Sequence, residues 1–479
     1  MKVGKVLLAL VFLINVSLHA QVGIGTSNPD PSSVLDIQSS TQGLLAPRMN
    51  TVERLAISNP ADGLLVYDTD DNRFYYYDTD GASWDKILAD DKTRDNYVLV
   101  KNEADFPPPS GGKIVLATNT LYEINGSITL SNPIDLNGAY LIGNDTNEDV
   151  LDGNGGTIFS GNGGSVRNIT LTTGTGGTVF DINGGGSGSF IMQSSIVRES
   201  GNVGTIQNCA LIFMNVIQYL GNASGITYSN SGNLLLNNQG WFGSNGGIYE
   251  TLTGSFNLIE KVSGFSQVIA AAAALDVTGV ATIGGDAVLQ SVVFYGGGNY
   301  INGNSPYTGY NFSNDWSVNC PGIPVEIDDN AGANFYYDGD ITNGFMQTVS
   351  NGNAVKIVGS GGSLNTTEAN SLFRFRTDGN NKLVYEGTKT RDLQVNASLS
   401  IRVRGAEENF YAFIIAKNGT VITESNSILR INNDLDIQNI ALNSIVTMST
   451  GDYIEIYVRR LTGGGDDTLV VFSENLSIK

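Results

Sequence analysis

Histidine is almost missing from this sequence: there is one, His19, and it lies within the first twenty residues. A chain without an imidazole beyond that point cannot build a Ser-His-Asp or Cys-His arrangement or an H-E-x-x-H zinc site. Cysteine is scarce too, with only Cys209 and Cys320. No disulfide framework is readable; one bridge is permitted in an oxidising compartment, and the competing reading is two small buried apolar side chains. Basic residues are few, 26 Lys and Arg against 47 Asp and Glu, a net charge of -21. That balance disfavours nucleic acid and anionic membrane surfaces as partners. Proline (11) and charged residues (15%) are sparse, which argues against a highly charged disordered chain. The expectation is a protein that is not an enzyme and needs no cofactor.

What is abundant is glycine, 59 residues, in a chain of 479 that is too long for one ordinary core. Many short strands joined by Gly and Asn turns suit this composition, and the expected fold class is all-β. At the start, Lys2 and Lys5 precede the apolar run VLLALVFLINV, Val6 to Val16, followed by Ser17, Leu18, His19 and Ala20. This layout predicts a signal peptide over 1–20 and an exported protein, extracellular or at a cell surface. The run is too short to span a bilayer comfortably, so no membrane span is expected in the mature chain.

Residues 21–94 have their own vocabulary. The runs GLLVYD from Gly63 and RFYYYD from Arg73, separated by Asp and Asn, predict a β-hairpin, and TVERLAI predicts a short helix. The stretches QVGIGTSNPDPSSVLDIQSSTQGLLAPRM and GLLVYDTDDNRFYYYD, with Trp84, resemble the amino-terminal regions of many exported Bacteroidetes proteins and of tail-fibre-like proteins associated with them. That resemblance implies an attachment module and leaves activity open.

From Asp95 the texture changes, through KNEADFPPPSGGKIVL, to strands alternating with turns: LYEINGSITL, GGTVFDINGG, VGTIQNCALIFMN. A Gly-Thr pair recurs at Gly156, Gly177 and Gly204. Steps of about 20 to 27 residues predict the coils of a right-handed parallel β-helix over 95–340, with Ile169 and Leu211 among the inward positions. This region resembles virion structural proteins of tailed phages. Residues 341–479 show cleaner period-two alternation, as in NFYAFIIAKNGTVITES and GDYIEIYVRR, which predicts a β-sandwich. The KNG at Lys417 to Gly419 and GDYIEIYV from Gly451 resemble the jelly-roll heads of complement-like and tumour-necrosis-factor-like families. Those heads are usually trimers, so the resemblance implies a homotrimer. In it, one set of side chains from FYAFIIA and YIEIYV would fill the sandwich, and part of the other would meet a neighbouring chain.

Three constellations invite chemistry. Asp68, Asp70 and Asn72, with Asp71 beside them and Asp78 and Asp80 further on, converge oxygens as a calcium loop does. The spacing fails the helix-loop-helix signature, and a solvated turn competes. Asp145, Glu148, Asp149 and Asp152 could form a glycosidase pair on the β-helix, which needs a separation of about 5 Å for retention and more for inversion. The competing reading is a soluble acidic loop. Tyr295, Tyr300, Tyr307, Tyr310 and Trp316 occupy a Gly-rich stretch and could offer rings to a sugar, against packing that closes the last coils. The segment GTGGTVFDINGGGSG lacks the Lys-Ser or Lys-Thr ending of a phosphate loop. The reading that follows is a non-catalytic fibre or adhesin, cell-encoded or part of a phage-like particle, binding a surface glycan or receptor. Its competitor is a tailspike-like hydrolase or lyase.

Overall fold

Ten residues, Tyr97, Leu121, Tyr140, Ser165, Ile191, Phe213, Leu235, Glu260, Val288 and Ser317, pair one above the next in an unbroken parallel column. Successive members are 19 to 29 residues apart, so each step is one coil, and the coils vary more in length than the repeat in the sequence suggests. In all, 19 strands between Tyr97 and Asn319 join this network, the parallel β-helix expected of this stretch. The computed structural model describes residues 21–87, 95–342, 344–358, 367–378, 381–405 and 408–479. The predicted signal peptide lies outside them. Among them, no helix is long and apolar enough to cross a membrane.

Strand parity sorts each coil. One residue beyond the column just named, Tyr122, Leu141, Val166, Met192, Met214, Leu236, Leu289 and Val318 point inward and are buried. The helix core is this ladder and its counterparts on two further faces. Ile169 is buried as expected, but Leu211 faces outward and its neighbour Ile212 takes the core position. Corners are closed by asparagine in the left-handed region: Asn137, Asn154, Asn168, Asn208, Asn230 and Asn238 have φ between +44° and +52°. The recurring glycines serve close stacking. A Cβ on Gly204 (φ +115°) would lie 2.0 Å from the Phe180 carbonyl oxygen. Cys209 and Cys320 are free and buried, so the permitted bridge is not formed.

The three outer faces differ. The first carries the column above and, two residues on, Gln193, Asn215, Asn237, Val262, Gln290 and Asn319. The second carries Phe242, Phe265 and Tyr295 in its last coils, with ring centroids 4.9 and 6.3 Å apart. On the third, Asp181, Thr205, Thr227, Thr251, Asp276 and Asn302 stack.

The sandwich begins earlier than expected. Its first strand is Gly332–Asp338, whose Ala333 and Phe335 already belong to the second core, so the expected boundary at 340/341 moves back by most of a strand. One sheet is ordered Thr367–Phe373, Gly332–Asp338, Asp466–Ile478, Arg391–Arg404, Gln438–Met448; the other has Leu383–Tyr385, Tyr453–Arg460 and Asn409–Lys417 at its centre. Long strands from Arg391 onward alternate between the sheets, which is jelly-roll connectivity. Lys417 and Thr420 pair across Asn418 and Gly419, both at positive φ, the two-residue turn that KNG chemistry favours. Tyr411, Phe413 and Ile415 fill the sandwich as expected. Of the alternate set, Ala412, Ile414 and Ala416 are buried within the chain and Phe410 is 39% exposed.

Residues 21–87 belong to a separate unit. Val22–Ile24 pairs with Leu35–Ile37, and Arg48–Met49, Leu65–Asp68, Arg73–Asp78 and Ser83–Lys86 form a four-stranded sheet containing the predicted hairpin. Asn50 and Glu53 cap a short helix, Thr51–Leu55, reciprocally through side chain and backbone.

Candidate functional site

The amino-terminal unit is anomalous in what it leaves uncovered. Of its large apolar side chains only Val66 and Tyr75 are buried, while Val22, Ile24, Val34, Leu35, Leu44, Leu45, Val52 and Leu55 are between 50% and 81% exposed. Exposed side chains of this kind, in one short segment, mark an interaction surface. A polar knot ties the unit's helix to its sheet. Arg54 is buried, with its Nε 2.9 Å from Asp68 and its guanidinium 3.9 Å over the Tyr75 ring. Asp68 also accepts hydrogen bonds from the Thr51 hydroxyl and the backbone N–H groups of Asp70 and Asp71. Burial alone would raise its carboxyl; Arg54, Thr51 and the two amides outweigh that and bring it down to about 2.

The calcium-loop candidates sit in and beside this knot. Asp68 spends its oxygens on a guanidinium and three other donors, Asp70 accepts from the Thr51 N–H, and Asn72 sits at φ +52° as the hairpin turn. Among the described residues no group of three or more acidic, His or Cys side chains is placed to hold a metal.

Three of the four carboxylates of the glycosidase alternative do structural work. Asp149 is buried and accepts from the backbone N–H groups of Gly126, Asn144 and Asp145, at 2.8, 2.6 and 2.9 Å. Burial pushes its carboxyl up, and those three amides hold it below the usual range, the opposite of what a general acid requires. Asp145 accepts from the Asn147 N–H and Asp152 from the Asn154 N–H, each shaping its own turn. Glu148 is exposed.

Of the five candidate rings, only Tyr295 is openly exposed, at 42%. Tyr300 stacks on Phe294 at 6.0 Å. Trp316 is buried against Phe312 and closes the last coil, the packing role that competed with sugar contact. Tyr307 and Tyr310 reach the jelly roll: the Tyr307 hydroxyl donates to Glu386 at 2.8 Å, and Tyr310 stacks on Phe373 at 3.9 Å. Beside them Arg374, buried at φ +56°, pairs with Asp328 and donates to the carbonyl of Trp316 at 3.1 Å. These residues build the joint between β-helix and head. A cleft of about 710 Å³ opens there, lined by Tyr310, Asp329, Phe373, Arg391, Asp392 and Lys479 among others. Its lining brings together the Tyr310 ring, two cations and two carboxylates.

Sequence reasoning missed Arg374 and Arg391, which look like ordinary strand arginines. It also missed Glu250 and Lys261, which occupy inward positions of adjacent columns where the other coils have apolar side chains. Their charges meet at 2.9 Å inside the β-helix, with Lys261 5.0 Å from the Tyr249 ring centroid. Burial raises the Glu250 carboxyl and Lys261 opposes it. The signal available was two charges in the strand Ile248–Val268 at the phase of its buried residues.

Residues 23–98 match the family model described as phage tail like trimerisation region. No curated protein matches the chain. Among solved structures, an Eiger TNF from S. frugiperda is similar over 31% of this chain and 93% of its own, at 10% identity and a TM-score of 0.20. The enzymatically active domain of tailspike protein 4 of bacteriophage CBA120 is similar over 91% of this chain and 77% of its own, at 9% identity and a TM-score of 0.21. At these TM-scores neither likeness bears on function.

Proposed function

We propose that this chain is a homotrimeric, phage-tail-like fibre protein that is exported or carried in a phage-like particle, in which the amino-terminal unit joins three copies and the β-helix and head engage a surface glycan or receptor without cleaving it. The observation that carries this is the uncovered apolar set from Val22 to Leu55, in a unit that buries almost nothing of its own and matches a trimerisation region. Two further copies would supply the core that one chain lacks. The joint cleft is the ligand site that the geometry favours, since Tyr310, Arg391 and Lys479 line it together. Non-catalytic use is supported by the structural tasks of Asp145, Asp149 and Asp152. The test is binding of the full chain to immobilised surface polysaccharides, with light scattering on the same sample. Three chain masses and binding that Tyr310→Ala and Arg391→Ala weaken are expected. A well-folded monomer would sink the assembly role; release of oligosaccharides from the polysaccharide would replace the binding role with the hydrolase.

A further inference from the structure

Two adjacent columns of outward side chains run along the first face of the β-helix. One is aromatic and aliphatic, with Ile191, Phe213 and Leu235 at successive levels; the other is amide-bearing, with Gln193, Asn215 and Asn237 beside them. The columns lie about 7 Å apart and rise about 4.8 Å per coil, the spacings of strand and sheet. We propose that this face is where the β-helices of two further copies of this chain pack, level with level, along a common axis. The inference rests on the trimeric reading above and adds the surface.

Three features select a second copy as the occupant. The column is apolar at seven of its ten levels, Tyr97, Leu121, Tyr140, Ile191, Phe213, Leu235 and Val288, whereas a small ligand needs one or two coils; a partner that matches it must be equally long and repeat at the same rise. Charge points the same way. Copies of a chain with net charge -21 repel each other, and the stacked carboxylates Asp181 and Asp276 lie on the third face. The first face carries Glu123, Arg167 and Glu260 in its two columns, a net of one negative charge, and Glu123 already accepts from the Tyr97 hydroxyl at 2.9 Å. Finally, the column begins at Tyr97, inside the segment 23–98 that matches the trimerisation region, so the stripe continues in sequence from the region that would hold the copies together. Amide columns meeting their own copies can exchange hydrogen bonds at every level.

The experiment is cysteine cross-linking of the full chain. Cys209 and Cys320 are buried, so the native thiols stay silent. Leu235→Cys places a thiol on the first face and Thr227→Cys one on the third; each variant is treated with a short bis-maleimide while its mass is followed by light scattering. Covalent dimers and trimers are expected from Leu235→Cys, several-fold above those from Thr227→Cys. Three chain masses in solution with cross-links absent from Leu235→Cys, or no stronger than from Thr227→Cys, overturn the face assignment and leave the trimer standing. A monomeric mass overturns both. Asn237→Cys, in the amide column, repeats the test should Leu235→Cys fold poorly, and the same outcomes apply.

Discussion

The amino-terminal unit and the β-helix solve the same problem in opposite ways. In the β-helix each inward side chain is sealed by the coils above and below, so Ile158, Phe159, Val166 and Ile169 reach complete burial without help from another molecule. In residues 21–87 strands form, a helix is capped and a salt bridge is buried, yet Leu44, Leu45 and Val52 remain more than two-thirds exposed. The difference teaches that regular backbone hydrogen bonding does not imply a finished core. Stacking supplies its own third dimension; a short sheet with one small helix does not.

That contrast breaks first at the β-helix core. Ile212→Asp should lower stability by more than about 4 kcal/mol, because a buried unpaired carboxylate has nowhere to go; thermal melting of the full chain reads it, and Leu211→Asp, one residue away and outward, should leave the same transition nearly in place. Next in size is the buried pair. Glu250→Ala strands Lys261 and should cost about 3–5 kcal/mol, while Glu250→Leu with Lys261→Leu together should be close to neutral or better. Equal losses from the single and double variants would mean that the pair itself stabilises the coils.

A smaller effect concerns the head. Glu474 is fully enclosed between the sheets, and burial pushes its carboxyl up to about 8, with Asn381 and Lys356 opposing. A carboxyl raised in the folded state binds a proton that the unfolded chain has already lost. Stability is therefore greatest below the ordinary glutamate range and falls as pH rises toward 8, by roughly 1–3 kcal/mol. Melting of the head from pH 5 to pH 9 should show this decline, and Glu474→Gln should flatten it. The smallest expected change is the most diagnostic for the contrast: Val52→Asp in the exposed set should shift β-helix melting by less than about 0.5 kcal/mol while dissociating the copies.

Much of the architecture was legible because two periodicities carry it. The change at Asp95, the coil-sized spacing and the period-two strands of the head each follow from how backbones stack or pleat. Parity was not always legible. ALIFMNV is apolar in both phases, so nothing in the run itself says that Ile212 faces inward and Leu211 outward. The aromatic stretch misled for a related reason: its glycines and asparagines read as an open loop, whereas Trp316 lies in a strand and is held over 58 residues of sequence by Arg374. Acidic residues in turns carry no mark in the sequence of the partners they meet, such as the three amides around Asp149. The exposed set of the amino-terminal unit could not be read at all, since a sequence lists apolar residues without saying which ones the chain fails to cover.

The central claim, that residues 21–87 borrow their core from other copies, is tested most directly by hydrogen exchange on the full chain across a dilution series. Amides of the β-helix and head should stay protected at every concentration, while those of residues 21–87 lose protection together as light scattering reports dissociation to single chains. Undiminished protection of residues 21–87 in a monomeric sample would contradict the account.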